Sequence, residues 1–86
     1  MIMDWKEENT TGGQSALVKE FKFKDFISAW AFMNSVALLA EKMDHHPDWT
    51  NVYNQVSIRL STHDAGNKIT DKDRKLAAQI DKLGLG

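Results

Sequence analysis

The sequence predicts an α+β fold, an antiparallel sheet of about four strands with two helices packed on one of its faces. Three observations predict it. Apolar side chains alternate with polar ones over residues 17–23 and 52–60, the period of a half-buried strand. They recur at three- and four-residue steps over residues 26–40 and 76–83, the period of a helix. The resulting order of strands and helices contains no strand–helix alternation long enough for a doubly wound parallel sheet.

Residues 2–7 predict a short strand carrying Trp5, and the small polar stretch 9–13 predicts a turn. Beyond it Leu17, Lys19, Phe21 and Phe23 share one face of an extended segment, with Val18, Glu20 and Lys22 on the other, so the first two strands form a hairpin. Asp25 predicts the N-cap of the longest helix, whose inward stripe is read as Phe26, Trp30, Met33, Ala37 and Ala40. Its opposite side carries Ile27, Ala31 and Leu38, so a helix of about 20 residues, roughly 30 Å long, is apolar over more of its circumference than one buried face requires. The expectation is a second copy of the same helix packed against it.

Pro47, the only proline, disfavours helical geometry at His46 and ends this helix at Asp44 or His45. Val52, Val56, Ile58 and Leu60 then alternate with Tyr53, Gln55, Ser57, Arg59 and Ser61 as a strand with one polar face, and His63 keeps the polar parity. After a turn at Gly66-Asn67, Thr70 and Asp73 form a capping box that opens a helix with Leu76, Ile80 and Leu83 inward and Gly84 as its stop.

Composition bounds the function. At 86 residues, 42% hydrophobic and 27% charged, the chain fits one domain over residues 1–86. Eleven basic against twelve acidic residues give a net charge of -1, which offers no global electrostatic case for nucleic acid or an anionic membrane. No apolar run approaches the roughly 18 residues of a membrane span. The first five residues lack the features of a secretory signal and there is no cysteine, so an intracellular, disulfide-free protein is expected. A domain this short buries only about 60–65% of its unfolded surface, a further reason to expect self-association.

All three histidines are candidates for chemistry: His45 and His46 at a helix end, His63 at a strand end. Imidazole is the one side chain that gives and takes a proton near neutrality without strong tuning, so converging imidazoles can supply both halves of an acid–base reaction. The bland alternative is three surface or structural histidines. A metal site built from His45, His46 and His63 with Asp44 or Asp64 is disfavoured by spacing, because adjacent histidines before a proline diverge. Glu41, four residues before His45, is expected to reach and orient that imidazole. Asp73 is accounted for by its capping role and is left outside the site. Trp49 and Tyr53 have the shape to stack on a flat heteroaromatic ligand, or to serve as core. Cysteine and serine nucleophiles and a phosphate-binding glycine loop find no support.

The stretch Ala40-Glu41-Lys42-Met43-Asp44-His45-His46-Pro47-Asp48-Trp49, followed by Asn51-Val52-Tyr53-Asn54 and Ser61-Thr62-His63-Asp64, resembles the signature of the pterin-4a-carbinolamine dehydratases. The similarity extends back through Phe21-Lys22-Phe23-Lys24-Asp25-Phe26 and forward from Asp73 to Ile80. The resemblance implies a hydro-lyase that converts 4a-hydroxytetrahydropterin to quinonoid dihydropterin and water, in the recycling of the tetrahydrobiopterin used by aromatic amino acid hydroxylases. It implies that His45, His46 and His63 are catalytic, and that Asp44, His45 and His46 with Ser61, Thr62, His63 and Asp64 line the pterin pocket. No metal or redox cofactor is implied. The partners implied are the pterin and further copies of the chain, in a homodimer or homotetramer formed through the long helix and a sheet edge. The implied location is the cytoplasm, with a nuclear pool in a eukaryotic source. A second class of function is implied as well, since animal members also act through that helix as a dimerisation cofactor of a homeodomain transcription factor. Catalysis by the histidines requires the turn closing the long helix to meet the end of the later strand.

Overall fold

Residues 4–84 are described by the computed structural model, beginning with a hairpin whose turn needs the two glycines placed there. Gly12 and Gly13 have φ of 93° and 81°, in the left-handed region that side chains disfavour. They join β1 (Lys6–Asn9) to β2 (Ser15–Lys22). The strand expected over residues 2–7 therefore begins later and runs further, and residues 2 and 3 lie outside the described residues. Trp5 precedes β1 and sets its ring edge-on against Phe21, centroids 5.9 Å apart.

The remaining elements are α1 (Phe26–Met43), β3 (Asp48–Val52), β4 (Gln55–Leu60), a single 3-10 turn (His63–Ala65) and α2 (Asp71–Lys82). The four strands form one sheet in the order β1-β2-β4-β3, every neighbour antiparallel. Register follows the apolar parity: Leu17 faces Leu60, Lys19 faces Ile58 and Phe21 faces Val56 on the inner side, while Val18 faces Arg59 and Glu20 faces Ser57 on the outer.

The segment read as one strand from Val52 to Leu60 is two strands. Asn51 donates its side-chain amide to the carbonyls of Tyr53 (3.2 Å) and Gln55 (2.8 Å), and Tyr53 takes a φ of 50°, so the chain reverses at Tyr53-Asn54. The two-residue turn inverts the parity that faces inward: Trp49 and Asn51 share the inner face with Ile58 and Val56, whereas Val52, which shares the even parity of Ile58 and Val56 by number alone, turns outward. Val52 sits at the hairpin tip, exposed, and does not belong to the core.

Asp25 caps α1 as expected, its carboxylate accepting the Ser28 N–H at 2.9 Å. That backbone hydrogen bond holds the Asp25 carboxyl below its ordinary value. The stripe that faces the sheet is Ala29, Phe32, Val36 and Ala40. Of the expected stripe only Ala40 is buried and Met33 partly so; Phe26, Trp30 and Ala37 are exposed. Both stripes have helical spacing and share Ala40; the inner one presents the small Ala29 where the other presents Phe26 and Trp30, and so lets the helix approach the sheet closely. Phe32 fills the centre, its ring 4.7 Å from Phe21 and 4.9 Å from Phe23 between centroids. The outer side of α1 leaves Phe26, Ile27, Trp30 and Leu38 exposed; Ile27 and Leu38 belong to the second apolar face the sequence indicates, and Phe26 and Trp30 join them there instead of facing the sheet.

Helix α2 opens on the capping box of Thr70 and Asp73 and buries Leu76, Ala77 and Ile80 against the same core. Among the described residues no helix is long and apolar enough to cross a membrane. Phe32→Ala is expected to lower the free energy of unfolding by about 3–5 kcal/mol, the range for losing a fully buried phenyl ring, as read from urea denaturation.

Candidate active site

The end of α1 sets the first group of side chains. Asp44 takes a left-handed conformation (φ 52°, ψ 43°), its N–H donating to the Glu41 carbonyl at 3.1 Å, and the His45 N–H donates to the Ala40 carbonyl at 3.0 Å. This pairing is a Schellman motif, and Pro47 prevents the helix from resuming beyond it. The reversal sends consecutive residues to different environments. His45 is 8% exposed, whereas Asp44 and His46 are exposed.

Glu41 consequently pairs with His46, its Oε1 lying 2.9 Å from Nε2, and not with His45 as its spacing predicts. The four-residue rule holds only while the helix continues, and the left-handed Asp44 breaks it.

A second group follows β4. Thr62 is held by an isolated bridge to Lys68, donating its N–H to the Lys68 carbonyl at 2.8 Å, while its own carbonyl accepts the Asn67 N–H at 3.0 Å. The intervening loop turns on Gly66, at φ 78°. Thr62 is buried, Ser61 half-buried, and His63 and Asp64 exposed. The Nδ1 of His63 lies 3.4 Å from the Asn67 side-chain oxygen.

The two groups meet at the start of α2. Asp73, the capping acid, is 0% exposed. Its Oδ2 accepts the Thr70 N–H at 2.8 Å and the Thr62 hydroxyl at 2.7 Å, and its Oδ1 lies 2.6 Å from His45 Nε2. One carboxylate thus ties together the end of α1, the segment after β4 and the first turn of α2. Asp73 is the residue that sequence reasoning set aside. A Thr-x-x-Asp box occupies one carboxylate oxygen and leaves the other needing a donor, and that second oxygen was the available signal.

The contacts dictate the protonation of the ring. An aspartate surrounded by donors is an acceptor, so His45 donates Nε2–H to it. Nδ1 makes no hydrogen bond among the described residues, and no buried side-chain nitrogen or oxygen among them is left unpaired, so Nδ1 is the nitrogen open to solvent. A neutral His45 in this tautomer presents a lone pair outward with a carboxylate behind it.

The structure brings His45 and Thr62 onto the same carboxylate, with His46 and His63 as their chain neighbours. Neither His46 nor His63 bonds to Asp73. Among the described residues no three His, Asp or Glu side chains are grouped in a way that holds a metal ion. A shallow cavity of about 310 Å³ flanks the junction, lined by Met43, Asp71, Lys72 and Lys75. A larger groove of about 460 Å³ lies across the outer face of the sheet, with Val18, Thr50, Ser57 and Arg59 in its lining; Trp49 also lines it, but none of the histidines and none of residues 61–64 does. Trp49 packs against the core and Tyr53 stands exposed at the hairpin tip.

Comparison with known proteins gives concordant results. The family model for pterin 4 alpha carbinolamine dehydratase matches residues 2–83. A relative from Prochlorococcus marinus (strain NATL2A) is 57% identical over 79 residues, covering 92% of this chain and 77% of the relative. One from Solibacter usitatus (strain Ellin6076) is 57% identical over 70 residues, covering 81% and 73%. Both carry names that assign them to the pterin-4-alpha-carbinolamine dehydratases. The crystal structure of a transcriptional coactivator/pterin dehydratase from Brucella melitensis superposes with a TM-score of 0.78 at 43% identity, covering 90% of this chain and 80% of that one. A pterin dehydratase-like protein identified as a RuBisCO assembly factor in the alpha-carboxysome superposes with a TM-score of 0.77 at 27% identity, covering 94% and 89%.

Asp73→Asn sets an amide NH2 among the donors that converge on this position. The expected result is a loss of about 1–3 kcal/mol in unfolding free energy for each donor left unpaired. In NMR spectra the downfield proton of a buried His45 Nε2–H on a carboxylate is expected to disappear with it.

Proposed function

The chain belongs to the pterin 4 alpha carbinolamine dehydratase family, and on that footing we propose that it removes water from 4a-hydroxytetrahydropterin to give the quinonoid dihydropterin, with His45 and His63 exchanging the protons. The observation that carries the reading is the Asp73–His45 pair, which fixes one imidazole in a defined tautomer at the junction where both groups of candidate residues end.

The reaction needs a proton placed on the 4a oxygen as the carbon–oxygen bond breaks, and a proton taken from the ring system. Water leaves, a ring double bond forms, and nothing is oxidised or reduced. His45, holding Nε2–H on Asp73, is suited to accept at Nδ1, and the carboxylate offsets the charge the ring then gains. His46 is engaged by Glu41, and His63 has only a long contact to Asn67 among the described residues, so His63 is the better proton donor to the leaving hydroxyl. Asp44 and His46 on one side, and Ser61 and Asp64 on the other, supply the polar groups that would pair with the amide-like edge of a pterin. Tetrahydrobiopterin recycling in the cytoplasm is the setting that fits this chemistry.

A second reading rests on the outer face of α1. Phe26, Ile27, Trp30 and Leu38 form an exposed apolar stripe of the kind that is covered by another helix, in a homodimer or homotetramer or in a dimerisation cofactor. The assembly-factor neighbour from the alpha-carboxysome has a closely similar fold. The two readings use different surfaces.

The decay of 4a-hydroxytetrahydropterin, followed by absorbance with and without the protein, tests the first. His45→Ala and His63→Ala are each expected to lower kcat/KM by roughly 10- to 100-fold, a modest range because the uncatalysed loss of water is itself easy. Wild-type rates in the double variant would overturn the assignment. Trp30→Glu is expected to dissociate the oligomer in analytical ultracentrifugation while leaving the dehydration rate within about twofold, since a charge in an apolar interface opposes association without touching the histidines.

A further inference from the structure

Thr62 is buried with its hydroxyl turned to Asp73, and the hydrogen-bond directions around it can be assigned. We propose that Thr62 is a positioning residue for His45, acting through Asp73, with Thr70 behind it as the first donor of the chain. The proposal rests on the dehydratase reading and adds to it a residue whose work is done without touching the pterin.

The Thr62 hydroxyl has one hydrogen and two oxygen neighbours, Asp73 Oδ2 at 2.7 Å and Thr70 Oγ1 at 2.5 Å. Asp73 can only accept, so the Thr62 hydrogen goes to it. Thr70 must then donate to Thr62, because its other contact, to Asp73 Oδ2, is long at 3.5 Å. The sequence of donors is Thr70 O–H to Thr62 O–H to Asp73 Oδ2, with Oδ1 of the same carboxylate receiving His45 Nε2–H. Each bond in such a run polarises the next.

Thr62 is itself rigid. Its backbone is bridged to Lys68, and a β-branched side chain has few rotamers. With the Thr70 N–H and the Thr62 hydroxyl both on Oδ2, the carboxylate cannot turn about its Cβ–Cγ bond, and Oδ1 stays aimed at the imidazole. Without the hydroxyl one of the two restraints on Oδ2 is gone. The carboxylate gains a rotation, and His45 loses the fixed orientation that a proton acceptor must have at the moment of transfer.

Thr62→Val keeps the shape and removes the hydroxyl, while Thr62→Ser keeps the hydroxyl and removes the methyl. The expected result is a kcat about tenfold lower in Thr62→Val with KM within about twofold, and most of the wild-type kcat in Thr62→Ser. Thr70→Val, which removes the first donor, is expected to lower kcat in the same direction by less. A raised KM with unchanged kcat in Thr62→Val would mean that Thr62 binds substrate directly. Equal losses in Thr62→Val and Thr62→Ser would mean that it serves packing. Either result overturns the proposal. The His45 Nε2–H signal, measured by NMR on the protein alone, is expected to broaden and exchange faster with water in Thr62→Val but not in Thr62→Ser. This arm needs no substrate. A wild-type protein that fails to accelerate dehydration would sink the dehydratase reading while the NMR comparison still decides the positioning role.

Discussion

Burying a carboxylate with no exposure is among the costlier things a small fold can do, and the arrangement around Asp73 shows how the cost is offset. Donors arrive from three separate places: the Thr70 amide one turn before it, the Thr62 hydroxyl beyond the central strand, and the His45 imidazole at the end of the long helix. Asp73 also stands in the first turn of α2, where the positive end of the helix dipole favours a negative charge. The Thr70 contact is local to α2, but the other two form only when the end of α1 and the segment after β4 are in place, so the charge has low energy only in the finished fold. A buried carboxylate of this sort adds little net stability over an apolar packing of equal volume. What it adds is a requirement that the end of α1, the segment after β4 and the start of α2 occupy one fixed arrangement.

The long helix shows a different economy. Its inner stripe uses two alanines to bring the backbone close to the sheet and one phenylalanine to fill the space between Phe21 and Phe23. Its larger apolar residues, Trp30 and Leu38 among them, are left outside. In water this distribution is costly unless the outer face is covered. The polar junction and the apolar outer stripe divide the labour of the helix, one end fixing an imidazole and the opposite side remaining open for association.

Much of the fold could be read from the sequence because it rests on periodicity. The Asp25 cap, the Pro47 stop, the Thr70–Asp73 box and the Leu17 to Phe23 alternation are local signals, and each lies where its spacing indicates. The errors share a cause. Choosing Phe26 and Trp30 over Ala29 and Phe32 as the inner stripe requires knowing how near the sheet lies, which is a property of the packed pair and not of the helix. Joining Val52 to Leu60 in one strand groups Val52 with Val56, Ile58 and Leu60 by number, whereas the turn between them reverses which parity faces inward. Assigning Glu41 to His45 assumes that the helix continues past a residue whose left-handed conformation is set by the capping hydrogen bonds at its end. The candidate histidines and the 61–64 segment were visible as residue types and as a family resemblance, whereas the Asp73 contact links positions 28 apart, and the capping box marks locally only that an oxygen needs a donor, not which residue supplies it.

That long-range contact also bears on why acid–base chemistry would sit at this place in the fold. A proton acceptor needs one ring nitrogen committed and the other free, and in a flexible loop an imidazole samples both tautomers and many rotations. Here the commitment is made inside the core, by a carboxylate whose own orientation is held by a threonine hydroxyl, and only Nδ1 is left to the solvent side. The group that orients the ring and the group that joins the three elements are the same atoms, so positioning the base requires no element beyond those the sheet and helices already supply. It follows that substitutions at Asp73 remove every tie of the network at once, while loss of the Thr62 hydroxyl leaves the tie between α1 and α2 through His45 and Asp73 in place. On the proposed reading, the Thr62 hydroxyl both ties the segment after β4 into this network and holds the carboxylate that orients the imidazole.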